Sequence, residues 1–206
     1  MDALYTARLR PATADAATQA ARTTSATPSA IAGNPAAAVS STAKLSSFAR
    51  QLSDAAAHAA WRDNGASREQ LAALAGTITD ALLGARYDQD KAAHDAEVPD
   101  STDPARLALA GQATRYVNEE GPNPFKGLPR DQLALIAYDE SGTFTVNEQR
   151  AAWLESYDQE QAWKRAAIAR MDEEHERLGK VSERTQQGIR DHYASLPPIE
   201  AARYAE

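Results

Sequence analysis

The strongest constraint on the fold is the spacing of the apolar residues, which recur every three or four positions and never settle into strand-like alternation. Segment 67–84 shows this most clearly. Ser67 and Gln70 match a capping box at its start, and Gly84 is a typical helix-ending residue. Between them, one helical face carries Leu71, Leu74, Ala75, Ile78 and Leu82. The sequence therefore predicts an all-α fold, a multi-helix domain with orthogonal or bundle-like packing.

Capping and stop signals place the other helices. The pattern predicts about six in all, including one from Leu45 to Gly65, one from Pro104 to before Gly121, a short one after Pro129, a long one over Val146–Leu178, and one from Ser182 to Leu196. A last helical turn is expected in 199–204. Residues 86–103 hold six acidic residues and Pro99, which favours a solvated loop with at most one short helical turn.

The N-terminal segment differs in composition from the rest of the chain. Residues 11–44 are dominated by alanine, threonine, serine and proline, with Pro28 and Pro35 interrupting any helix. So little apolar surface is available for burial that ordering the segment would cost more entropy than it returns. We predict a disordered arm over residues 1–44 and a helical domain over 45–206. The composition also resembles the export signals of bacterial needle-type secretion systems.

Charge and composition exclude several classes of function. The chain has 22 basic and 29 acidic residues, a net charge of −7, and the acidic excess lies after residue 60. Such a body repels phosphate backbones, so nucleic-acid binding is not expected. No apolar run approaches membrane-spanning length, and residues 1–10 lack the apolar stretch of a signal peptide. The sequence leaves two locations open, the cytoplasm or export without a cleavable signal.

One segment carries a motif with a physical mechanism. An EF-hand loop has twelve residues, with oxygen ligands at positions 1, 3, 5, 7, 9 and 12 and a glycine at position 6. With Gly142 at position 6, the candidate ligands are Asp139, Ser141, the carbonyl of Thr143, Thr145 and Glu148. Phe144 then stands at position 8, where an apolar residue is usual. Residues 129–154 thus resemble an EF-hand, and the resemblance implies a weak Ca²⁺ or Mg²⁺ site on these five residues.

The same segment departs from the EF-hand pattern in two ways. Position 1, normally an aspartate, is Ala137, and no second hand is evident. Thr145 and Glu148 also match a capping box, which needs no metal, and Gly142 suits a turn with positive φ. Three hypotheses remain: a metal-free, EF-hand-shaped helix–turn–helix, a weak metal site, or a turn unrelated to EF-hands. Residues 123–153 also resemble a segment of uncharacterised bacterial proteins, which implies no activity.

Histidines and aromatic residues give weaker candidates. His175 is expected on a solvated, charged helix face, whereas His94 with Asp90 and Glu97 would form a metal site only in a continuous helix. The tripeptide at 123–125 is Asn-Pro-Phe, which EF-hand-based adaptor domains recognise in their ligands. We interpret it as a turn with a buried Phe125. Three tryptophans are predicted to anchor an alanine-rich core, with the alternative that one of them lies in a partner-binding groove: Trp61, Trp153 and Trp163.

No catalytic or cofactor motif is present in the sequence. Nucleophile elbows, phosphate-binding loops, dinucleotide fingerprints and zinc-peptidase motifs are all missing, and there is no cysteine. The leading hypothesis is therefore a non-enzymatic helical protein that binds another protein. Two alternatives stay open: a weakly Ca²⁺-responsive module, and an exported bacterial effector whose arm is the secretion signal.

Overall fold

The protein is all-α, as predicted. The computed structural model describes the backbone of residues 35–204 and the side chains of residues 47–204, and no strand occurs among them. These residues belong to one compact unit, Pro35–Glu206. The helices are α1 Pro35–Gly65, α2 Arg68–Leu83, α3 Ala85–Gln89, α4 Lys91–Ala96, α5 Pro104–Val117, α6 Arg130–Ala137, α7 Val146–Leu178, α8 Glu183–Ala194 and α9 Pro198–Ala201.

Most helix ends lie where the capping signals place them. Ser67 and Gln70 form the predicted capping box at the start of α2. The side chain of Asp103 accepts the backbone N–H of Ala105 ahead of Pro104, which opens α5. At the end of α7, Gly179 has the left-handed backbone (φ 69°) that a helix-ending glycine supplies.

Two boundaries differ from the prediction. Helix α1 begins at Pro35 rather than Leu45, because proline has no N–H to lose at a first helical position and its fixed φ suits the helix. The predicted disorder of residues 1–34 concerns a segment outside the described residues. Segment 86–103 holds two short helices, α3 and α4, rather than a loop with one turn. Their anchor is Tyr87, which is buried and stacks on His94 with ring centroids 5.0 Å apart.

The core lies along the N-terminal half of α7. Helices α5 and α6 both pack against α7. Its buried apolar residues are mostly small, and larger side chains converge on it from neighbouring segments, namely Phe125, Leu133, Ile136, Phe144 and Ile199. Helix α7 has 33 residues and is therefore roughly 50 Å long. No helix in the described part of the chain is long and apolar enough to cross a membrane.

The tryptophans divide between core and surface. Trp153 packs against the core, and Trp163 stacks on His192 with ring centroids 3.5 Å apart. Trp61 is 82% exposed, so the prediction that it anchors the core is wrong. The helical spacing of α1 places Trp61 outside the stripe of Leu52, Ala55 and Ala59, which is the face that the sequence marks as apolar.

Asn147, in the first turn of α7, connects three other helices to it. Its side chain is fully buried and accepts a hydrogen bond from the Tyr87 hydroxyl at 2.6 Å. Its amide nitrogen donates to the carbonyl of His94, the carboxylate of Asp95 and the hydroxyl of Thr114 at 3.1–3.2 Å. These bonds hold the start of α7 against α3, α4 and α5, and so fix the turn that precedes it.

Candidate functional site

The turn between α6 and α7 is organised by Asp139, whose side chain is 8% exposed. One carboxylate oxygen accepts the backbone N–H and the hydroxyl of Ser141 at 3.1 and 2.6 Å. The other accepts the backbone N–H groups of Thr143 and Phe144 at 2.8 and 3.2 Å. Both carboxylate oxygens of Asp139 therefore accept hydrogen bonds from within the loop, and these bonds fix the loop's conformation.

The rest of the turn follows from this arrangement. Gly142 has a φ of 77°, the left-handed region that the sequence predicts for it. The Ser141 hydroxyl also lies 2.7 Å from that of Thr143. The backbone carbonyls just after α6 are also hydrogen-bonded. Arg62 donates to the Tyr138 carbonyl at 3.0 Å, and Gln149 donates to the Asp139 carbonyl at 2.8 Å. Contacts from α1 and α7 thus hold the α6 end of the turn in place.

Glu148 is fully buried, and both of its carboxylate oxygens accept hydrogen bonds. Arg106 donates to the two oxygens through its two terminal nitrogens, one of the contacts measuring 2.6 Å. Thr145 completes the predicted capping box, donating to Glu148 Oε2 from its backbone N–H at 2.8 Å and its hydroxyl at 3.0 Å. The contact between Arg106 and Glu148 is a bidentate, charge-assisted ion pair, the strongest hydrogen-bonding arrangement that a carboxylate makes with a protein side chain.

Arg106 reaches the turn from the first helical turn of α5 and is itself 3% exposed. Besides Glu148, its guanidinium donates to the backbone carbonyl of Thr143 at 2.8 Å. The same group lies 5.7 Å from the centre of the Phe144 ring, within cation–π range. One buried cation therefore contacts three residues of the loop at once.

Three of the candidate ligands in the EF-hand alignment are bonded to other groups of the protein. Glu148 and the Thr143 carbonyl stand at ligand positions 12 and 7, and both are bonded to Arg106. Asp139, at position 3, is bonded to loop amides. Within residues 47–204 no three histidine or acidic side chains come together in a way that could hold a metal ion. The oxygens of Glu148 and Thr143 that the alignment assigns to a metal ion thus already accept hydrogen bonds from the Arg106 guanidinium.

Sequence reasoning missed Arg106. A basic residue in the first turn of a helix faces the positive end of the helix dipole, which is unfavourable unless another group compensates. Arg106 also shares a helical face with Ala110 and Ala113, and all three are buried. Together, these two features indicate a buried arginine, which requires a carboxylate partner. They do not identify Glu148, which lies 42 residues further along the chain.

The weaker candidates resolve as structural features. His94 stacks on Tyr87, and Glu97 accepts the backbone N–H of Val146 at 2.9 Å, so these two side chains do not form a metal site with Asp90. His175 is exposed, as the charged-face interpretation requires. The Asn-Pro-Phe tripeptide is a turn in which Asn123 accepts the N–H of Phe125 at 2.9 Å, and the phenylalanine ring is 1% exposed.

No protein-family model, curated protein or solved structure matches the chain. The protein can therefore be classified only by its own fold and by the structure of the turn between α6 and α7. It is an all-α protein in which a helix–turn–helix is closed by a buried arginine–glutamate pair at the start of α7.

Proposed function

We propose that this chain is a non-enzymatic helical protein that binds another protein, and that its EF-hand-like turn is a metal-free scaffold. The observation that carries the second part is the contact of Arg106 with Glu148 and Thr143. A permanent guanidinium supplies the positive charge that an EF-hand takes from Ca²⁺. The angle between α6 and α7 is then set at all times, rather than by the concentration of an ion.

The interaction part of the proposal is supported by the surface of α1. Trp61 is 82% exposed, on a helix whose other face packs on the core. Tryptophan is enriched among the residues that contribute most to protein–protein binding, since its large ring loses little conformational freedom when a partner covers it. An exposed tryptophan on a well-braced helix is suited to that use.

A calcium titration tests the scaffold. The wild-type chain is expected to show no saturable change in its amide NMR spectrum around Gly142 up to millimolar Ca²⁺ or Mg²⁺. The physical reason is that metal binding would require Arg106 to leave a buried carboxylate, which costs several kcal/mol. Saturable shifts centred on Gly142, abolished in Glu148→Gln, would instead establish the metal-responsive alternative.

Affinity capture from the host cell tests the interaction. Wild type and Trp61→Ala are compared by quantitative mass spectrometry, with Val98→Ala, at another exposed apolar position (70%), as the matched control. A binding hot spot contributes about 2 kcal/mol or more, so at least one partner is expected to fall about thirtyfold in Trp61→Ala. That partner stays at the wild-type level in Val98→Ala. Equal recovery with all three proteins would rule out Trp61 as the contact.

The other two hypotheses lack a supporting observation of this kind. A Ca²⁺-responsive module needs ligand oxygens that are not already bonded to protein groups, and Asp139 and Glu148 are both bonded. An exported effector is a prediction from the composition of the N-terminal arm. Residues 1–34 of that arm lie outside the described part of the chain.

A further inference from the structure

A second polar site lies beside the middle of α7, between Trp153 and Lys164, and is separate from the EF-hand-like turn. A cavity of about 290 Å³ separates the middle of α7 from α6, α9 and the residues after α9. Trp153, Ser156, Glu160 and Lys164 line it from α7, where their spacing of three and four residues places them on one helical face. At about 30 Å³ for each non-hydrogen atom, the volume of one water in the liquid, the cavity holds roughly ten such atoms.

Two buried polar atoms at this cavity have no hydrogen-bond partner in the described part of the chain: the hydroxyl oxygen of Ser156 and Glu160 Oε1. Both residues are 4% exposed. Lys164 Nζ lies 3.4 Å from Glu160 Oε1, which makes an ion pair but not a well-directed hydrogen bond. Because buried polar groups are nearly always hydrogen-bonded, a serine hydroxyl and a carboxylate oxygen that both lack a hydrogen bond, one helical turn apart, favour a partner from outside the protein.

The other oxygen of Glu160 is fully engaged. Glu160 Oε2 contacts His192 at 3.0 Å and Arg130 at 3.3 Å, and Arg130 also bonds Glu200 at 2.7 Å. Burial raises the pKa of Glu160, but the hydrogen bond from His192 and the charges of His192, Arg130 and Lys164 outweigh it and hold that pKa below its ordinary value. The carboxylate is therefore ionised at neutral pH, and its Oε1, buried at the wall of the cavity, has only the ion pair with Lys164.

The cavity also carries positive charge and flat apolar walls. Lys164 and the exposed Arg203 both line it, and Lys164 Nζ lies 3.4 Å from Glu160 Oε1, so a cation and an anion stand side by side at its wall. The rings of Trp153 and Tyr157 stack with centroids 5.5 Å apart and form one side, and the buried Tyr138 forms another. A pocket that combines aromatic rings with converging polar and charged groups is suited to a small, charged molecule.

We propose that this cavity binds a small zwitterion. Its ammonium group donates to Glu160 Oε1 and the Ser156 hydroxyl, and its carboxylate pairs with Lys164 and Arg203. A free α-amino acid of up to about ten non-hydrogen atoms is the simplest member of the class. A purely cationic ligand would meet Lys164 and Arg203, and a purely anionic one would meet Glu160, so each would face like charge. This site is independent of the proposed protein-binding function.

Amide and indole NMR of the full chain tests the proposal, with the standard L-amino acids added singly up to millimolar concentration. At least one is expected to give saturable shifts centred on the Trp153 indole and the Ser156 amide. The same amino acid lacking its carboxylate, or lacking its ammonium group, is expected to bind at least about tenfold more weakly, because one charge-assisted contact is lost. No saturable shift with any amino acid would mean that the cavity holds only water, and the proposal would fall.

Variants separate the zwitterion site from other occupants. Glu160→Gln is expected to weaken binding at least about tenfold, whereas Glu173→Gln, at an exposed glutamate of the same helix, leaves it unchanged. Because Glu160 also contacts His192 and Arg130, Ser156→Ala provides a second variant. It removes an atom that has no protein partner, so it folds normally and still weakens binding. An amine analogue or an acid analogue that binds as well as the amino acid would overturn the proposal, and so would binding that neither variant alters.

Discussion

Replacing Arg106 with methionine is expected to lower the free energy of unfolding by about 3–5 kcal/mol. Methionine keeps an unbranched, apolar side chain like the stem of arginine, but it is shorter and has no charge and no N–H donor. The fully buried Glu148 would then keep only its bonds from Thr145, and a buried carboxylate without a cation is costly. Urea unfolding followed by circular dichroism measures the loss. In a chain of this length the melting temperature should fall by about 6–20 °C.

The exposed pair Arg86–Asp90 provides a matched control. Its side chains are 86% and 53% exposed, and its nitrogen and oxygen lie 3.7 Å apart. Arg86→Met is expected to change stability by less than about 0.5 kcal/mol, since solvent screens a surface pair of this kind. Because both variants remove one arginine, the difference between their losses of stability measures the effect of burial.

A double variant shows whether the loss comes from the stranded carboxylate. Glu148→Gln in the Arg106→Met background keeps an oxygen for Thr145 and removes the negative charge. It is expected to recover part of the stability that Arg106→Met loses, because replacing both partners of a buried pair costs less than removing one. A double variant less stable than Arg106→Met would show that the guanidinium is important for its bond to the Thr143 carbonyl and its packing on Phe144, rather than for charge.

Helix ends were readable from the sequence because their signals are local. A capping box needs only residues three apart, as in Ser67–Gln70 and Thr145–Glu148, and both form as predicted. The stop at Gly179 depends on a single residue that tolerates positive φ. The prediction of α7 over Val146–Leu178 therefore required no knowledge of what packs against it.

The features that the sequence left undetermined depend on contacts between distant residues. Arg106 and Glu148 are 42 positions apart, and no local pattern relates them. Helices α3 and α4 lie in an acidic stretch that resembles a loop, and they are held by Tyr87 bonding Asn147, 60 positions away. At the EF-hand-like turn the sequence shows Glu148 at both a capping position and a ligand position, but it does not show that Arg106 lies beside it.

Replacing Phe125 with alanine is expected to lower the free energy of unfolding by about 3–5 kcal/mol. The ring is 1% exposed and stacks on Phe48 with centroids 6.3 Å apart. Its removal leaves a cavity beneath a turn that Asn123 ties to α7 through the carbonyl of Ala151 at 2.8 Å. Because that bond holds the turn in place, the surrounding chain cannot fully close the space. Urea unfolding again provides the measurement.

Trp61→Ala is the matched control for this loss, since it also truncates an aromatic side chain, one that is 82% exposed. Its effect is expected to stay within about 0.5 kcal/mol. A loss below about 1 kcal/mol in Phe125→Ala would mean that the ring is not part of the core. The Asn-Pro-Phe tripeptide would then be accessible in solution, as a recognition motif for adaptor domains must be. A loss in the expected range makes Phe125 a structural residue, because an adaptor could bind its ring only after the turn had opened.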